Sequence, residues 1–110
     1  MNFLTSLIRL LFKLEILRSH YFGLHKYFLT PFGVLNNQIK ESKVKGFTLR
    51  LDLCDWIQAQ LYFLGEYYTE RQVCDGWLSL IKEGNVILDI GANIGYYSLL
   101  SSKVNNVEIH

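Results

Sequence analysis

Between Phe3 and Leu17 the polar residues Thr5, Arg9 and Lys13 recur every four positions, while Leu4, Leu7, Ile8, Leu11 and Leu14 cover the rest of the circumference. That period predicts one helix over residues 2–18, with a narrow polar stripe on an otherwise apolar cylinder. Such a helix is expected to pack against the rest of the chain. A monotopic membrane contact through residues 3–17, helped by Arg9, Lys13 and Arg18, is possible but less favoured. Arg9, Lys13 and Glu15 interrupt the apolar run well short of the roughly 20 residues a spanning helix needs. The segment also lacks the basic start and small-residue cleavage site of a secretory leader. The expected compartment is therefore the cytoplasm.

Residues 19–36 are rich in aromatics, Tyr21, Phe22, Tyr27, Phe28 and Phe32, and Thr30-Pro31 marks a break because the residue before proline avoids the helical region. The polar run 36–46 reads as a linker. Phe47, Leu49, Leu51 and Leu53 then alternate with Thr48, Arg50 and Asp52, which predicts a half-buried strand. Asp55 is a plausible N-cap for a short helix carrying Trp56, Gln60 and Phe63, which Gly65 ends. Thr69 and Gln72 fit a capping box. Val73, Trp77, Leu80 and Ile81 follow at helical spacing, and Gly84 stops that helix. Val86–Ile90 is a continuous apolar run broken only by Asp89, the pattern of a central parallel strand buried on both faces.

Directly after this strand come Gly91-Ala92-Asn93-Ile94-Gly95 and a helix-like stretch from Tyr96 to Ser102. Strand, glycine-bearing turn and helix in that order open the nucleotide-binding half of a doubly wound α/β sheet. Gly91 can adopt a backbone form closed to other residues and lets a ligand lie against the chain. Gly95 is expected to let the helix pack close to the strand, and N–H groups at the helix start can hold a polar or anionic part of a ligand. Asp89, at the carboxyl end of the strand, points toward the crevice where ligands bind in such sheets. A tight turn with no ligand is the competing structural reading.

The segment Val86–Ser98 resembles the first motif of class I S-adenosylmethionine-dependent methyltransferases. Asp89-Ile90-Gly91-Ala92-Asn93-Ile94-Gly95, followed by paired aromatics and Ser98, is more narrowly similar to the FkbM family, where Asn stands at the place of a second glycine. Leu51-Asp52-Leu53 through Leu64-Gly65-Glu66-Tyr67 is also similar to what precedes the motif there, so the likeness runs from about Leu49 to Ile109. It implies a class I, Rossmann-like doubly wound sheet, S-adenosyl-L-methionine as cofactor, and cofactor contacts from Asp89, Gly91, Ala92, Asn93, Gly95 and Tyr96. It also implies a sugar, glycan or secondary-metabolite hydroxyl as methyl acceptor. Transfer is an in-line displacement in which positioning dominates, and no residue is named as a catalytic base. Glu66 and Tyr67 are candidates for part of a cover over the cofactor, against an ordinary surface loop.

In such folds the acid that binds the ribose hydroxyls ends the second strand, about 20 residues past the glycines. Val107–His110 reads as the beginning of that strand, and Glu108 lies within it rather than at its tip. The expectation is thus a methyltransferase domain over residues 47–110, truncated after the beginning of its second core strand and inactive alone. A helical, aromatic-rich region, 1–46, precedes it.

Composition changes this picture little. The chain of 110 residues is 50% hydrophobic and 15% aromatic, which excludes a disordered tail. Its net charge of +1 conceals an asymmetry: residues 1–50 hold eight Lys or Arg against Glu15 and Glu41, whereas residues 51–110 hold Arg71, Lys82 and Lys103 against eight acids. No nucleic-acid motif accompanies the basic half. His20 and His25 are wrongly spaced for a shared metal, and none is expected. Cys54 and Cys74 form no ligand pattern and are expected to be reduced, buried thiols. Two other functions remain open. One is a nicotinamide-dependent dehydrogenase, disfavoured because residue 93 is not glycine. The other is a non-catalytic membrane-associated module built on Phe3–Leu17 and the aromatic run.

Overall fold

The helix expected over residues 2–18 is broken. A computed structural model describes residues 2–110, the side chain of Asn2 excepted, and in it α1 (Asn2–Leu11) ends before an extended Leu14, after which α2 (Glu15–Arg18) begins. The break turns Phe12 into the interior. Its ring packs edge-on to Tyr21 at 5.3 Å and to Phe63 at 5.9 Å, and burying a phenylalanine outweighs the few helical hydrogen bonds given up. The rest of the aromatic run forms α3 (Tyr21–Leu24), which continues as a π-helical turn over His25–Leu29 and ends ahead of Pro31.

The polar stripe of α1 faces inward. Thr5 is fully buried, and the Arg9 guanidinium lies 4.6 Å from the Tyr62 ring centre and donates to Ser42 Oγ at 2.6 Å. The expected linker 36–46 is instead a strand, β1 (Ile39–Val44), paired antiparallel with β2 (Phe47–Asp52) in the register Val44 to Phe47 through Ile39 to Asp52. Lys45 and Gly46 both have positive φ, 50° and 89°, as a two-residue type I′ hairpin turn requires. The strand escapes pattern reading because its inward positions are Lys40, Ser42 and Val44, and Ser42 faces in to meet Arg9. In β2 the expected alternation holds, with Leu51 and then Leu53 fully buried.

Asp55 caps α4 (Trp56–Leu64) through Gln58 N–H, and Gly65 ends it in the left-handed region. Glu66 follows as a buried ion-pair centre, its two oxygens bound by Arg18 Nη2 at 2.6 Å and Lys45 Nζ at 3.2 Å. These elements make the first of two compact units, Met1–Tyr68; the second is Thr69–His110. The expected division at 46/47 falls inside the hairpin turn, where ladder bonds hold the two sides together.

His25 lies edge-on to Trp56 at 4.6 Å, and burial lowers its pKa below the ordinary 6.5. Because the folded state takes up its proton at lower pH than the unfolded state, the stability this residue contributes is complete above about pH 6.5. It is lost as pH falls through the lowered value. Urea midpoints of the wild-type chain are expected to drop between about pH 7 and pH 5, and His25→Gln is expected to flatten that slope.

A 3₁₀ turn (Tyr68–Glu70) crosses the boundary between the units and leads into α5 (Arg71–Leu80) of the second. The helix starts one residue after the expected cap at Thr69, with Glu70 as the N-cap residue; Glu70 makes no side-chain cap bond, and its carboxylate accepts from Tyr97 Oη at 2.5 Å. The helix also ends before Gly84, which instead sits in the following turn with φ 82°. Its inward line passes through Cys74 and Trp77, whereas Val73 and Leu80 are exposed. Cys74 is a buried free thiol; Cys54, expected to be buried, is an exposed one in the first unit.

Strand β3 (Val86–Ile87) pairs in parallel with β4 (Glu108–Ile109), and α6 (Tyr96–Ser101) lies between them in sequence. The ladder runs slightly beyond the strands, with Asp89 N–H donating to His110 O at 2.8 Å. The expectation of a strand buried on both faces fails. Ile87 is buried, but Val86 and Leu88 are exposed and Ile90 is 91% exposed. Alternate residues of a strand point to opposite faces, so one face is covered and the other is bare. The chain is therefore a mixed helix-and-sheet protein with two two-stranded sheets among its described residues.

Candidate functional site

Asp89, Gly91, Ala92, Asn93 and Gly95 fall on one continuous turn between β3 and α6. Its backbone is unusual in a regular way: Gly91, Asn93 and Gly95 have φ of 74°, 53° and 77°, whereas Ala92 and Ile94 between them do not take positive φ. Alternation of this kind curls successive N–H groups toward one side, the backbone form of an anion-binding nest. L-residues resist positive φ by roughly 1–2 kcal/mol, with glycine exempt and Asn the most tolerant of the rest. The three positions that need the left-handed form thus carry the three residues suited to it. Gly95 N–H closes the turn onto Ala92 O at 2.8 Å.

The two glycines play parts slightly different from those expected. A Cβ at Gly91 would meet nothing within 4 Å, so the space beside it is open, as the sequence implied. The same holds at Gly95. Close packing of helix on strand therefore does not explain Gly95; its left-handed φ does. Tyr96 differs too, since its side chain is buried and only its backbone lies at the turn.

Asp89 is half-buried, fixed through its own N–H to β4 and through Oδ2, which accepts from Ser98 Oγ. Ser98 was not among the residues read as site residues. The signal for it is its place three residues past Gly95, one helical turn from the strand end. Behind it, α6 is braced on α5: Trp77 Nε1 donates to Ser101 Oγ at 2.9 Å, and the Trp77 and Tyr97 rings meet edge-on at 6.2 Å. Burial, followed by the bonds to Glu70 and Cys74, pushes the Tyr97 phenol well above its usual range, so it remains a donor to Glu70.

A concavity of about 290 Å³ opens beside Asp89, lined also by Trp77, Leu88, Ile90, Tyr97 and Ser98. That volume is at the small end for a ligand site and suits part of a cofactor rather than an enclosed whole. Its one charged group is the Asp89 carboxylate. Glu66, one of the two residues read as a cover, has its carboxylate held by Arg18 and Lys45 within the first unit. Comparison of the chain with protein-family models, with curated proteins and with solved structures gave no match.

Proposed function

We propose that residues 86–98 are the S-adenosylmethionine-binding opening of a class I, FkbM-like methyltransferase. The observation that carries this reading is the placement of Gly91, Asn93 and Gly95 at the three left-handed positions of a strand–turn–helix. The cofactor's methionine end offers a carboxylate and an ammonium. The N–H groups of residues 91–94 suit the first, since that of Gly95 is already bonded to Ala92 O, and the Asp89 carboxylate, oriented by Ser98, suits the second. The acceptor is read as a hydroxyl of a sugar, glycan or secondary metabolite, and the transfer step itself is not assigned to residues 2–110. A nucleotide with a pyrophosphate fits less well, because Asn93 keeps a side chain where the backbone has to approach the phosphates.

The test is equilibrium dialysis of the chain against labelled S-adenosylmethionine, with NADH as competitor. Binding that NADH does not displace supports the reading, and no retained label contradicts it. Gly91→Val places a β-branched residue at φ 74° and is expected to weaken binding about tenfold or more through backbone strain. Asn93→Gly keeps the left-handed form and is expected to leave the turn intact.

A further inference from the structure

We infer that the first unit docks on a membrane surface carrying anionic headgroups, through the outward face of α1 and the aromatic turn that follows. This inference is independent of the cofactor reading. The orientation of α1 is the first observation. Its polar stripe is spent inside the unit on Thr5, Arg9 and their partners, which leaves Leu7, Leu10, Leu11 and Leu14 exposed and Phe3 80% exposed. A monomeric domain normally turns such a helix the other way round.

The second observation is a groove of about 240 Å³ that continues this face. Leu11, Phe12, Leu17, Leu24, Phe28 and Leu29 line it, with no polar side chain among its lining residues. Phe28 carries the apolar surface on to Phe32, whose ring lies 5.1 Å away and is exposed. A groove of this chemistry takes acyl chain. The third observation is charge. Of the basic residues from residue 2 to residue 35, Arg9 is turned inward onto Ser42 and Arg18 onto Glu66, which leaves Lys13 and Lys26 as the cations at this face. Lys13 is exposed, and so is Lys26, whose ammonium sits 5.1 Å from the exposed Tyr27 ring. Apolar side chains edged by cations and an amphipathic aromatic match the boundary between acyl chains and anionic headgroups.

The geometry is in-plane. No helix among the described residues is long and apolar enough to cross a membrane, and α1, with 10 residues, is about 15 Å long against a hydrocarbon core of about 30 Å.

Co-sedimentation of the whole chain with vesicles of phosphatidylcholine, alone or mixed with phosphatidylglycerol, tests the inference. Pelleting with the mixed vesicles is expected, reduced but not abolished by high salt. Leu10→Glu, at an exposed position that does not threaten folding, is expected to weaken it at least about tenfold. Lys13→Gln and Lys26→Gln are each expected to cost about fivefold on the anionic vesicles. Val73→Glu, at an exposed apolar residue of the second unit, is expected to change nothing. Failure to pellet overturns the inference, as does equal pelleting by the Leu10→Glu chain. So does a dimer in sedimentation velocity that Leu10→Glu dissociates while lipid leaves it unaffected, because the face would then belong to a second copy.

Discussion

Replacing Phe12 with alanine is expected to destabilise the first unit by about 3–5 kcal/mol, the usual cost of emptying a buried aromatic site. Phe12 is 2% exposed and is the ring that touches both Tyr21 and Phe63. It is also the residue for which the amino-terminal helix breaks. The loss should therefore exceed the transfer term alone, since the chain from Leu11 to Glu15 is left without a reason to turn inward. Leu10→Ala, two residues earlier, is expected to cost under about 0.5 kcal/mol because that side chain is exposed. Urea titrations followed by the fluorescence of Trp56, with Trp77→Phe as background, measure both. A helix packed in the ordinary sense, apolar side inward, would give the opposite ranking.

Glu66→Ala is expected to cost about 3 kcal/mol, because it leaves Arg18, whose side chain is only 15% exposed, without its principal partner. The Arg18 guanidinium also lies over the Tyr68 ring at 5.4 Å, so it cannot turn freely to solvent without giving up that contact as well. Lys45→Ala should cost less than about 1 kcal/mol, since Lys45 is the more solvated end of the same cluster. Removing both members of the central pair, with Arg18→Met and Glu66→Leu together, should recover much of the loss. Measured as changes in urea midpoint at low and high salt, the Glu66→Ala effect should be largely insensitive to ionic strength. A strongly salt-dependent effect would mean that the pair is a surface one.

Local pattern is sufficient at several places where neighbouring residues decide the structure. The alternation from Phe47 to Leu53, the Asp55 cap and the Gly65 stop are all determined within a few residues, and each is present. The turn from Gly91 to Gly95 was legible for the same reason, since left-handed backbone leaves its mark directly on residue type. What stayed hidden was decided by partners distant in sequence. Strand β1 is polar on its inward face because Arg9, 33 positions away, donates to Ser42. The inverted α1 follows from the same contact: a helical period identifies two faces but not which of them turns inward. Val86–Ile90 carries the composition of a doubly covered strand, yet only the face of Ile87 is covered. Of the site, Ser98 escaped notice because its role depends on the angle at which α6 returns over β3.

The measurement that bears most directly on the proposed function is a titration of the ¹⁵N-labelled chain with S-adenosylmethionine, read amide by amide in heteronuclear NMR spectra. If residues 86–98 are the cofactor-binding opening, shifts will concentrate on the amides from Asp89 to Ser98, with Gly91, Asn93 and Gly95 among the largest, and Gly91→Val will suppress them. Spectra that do not change, or shifts confined to other parts of the chain, would contradict it and leave the turn as a structural connection between β3 and α6.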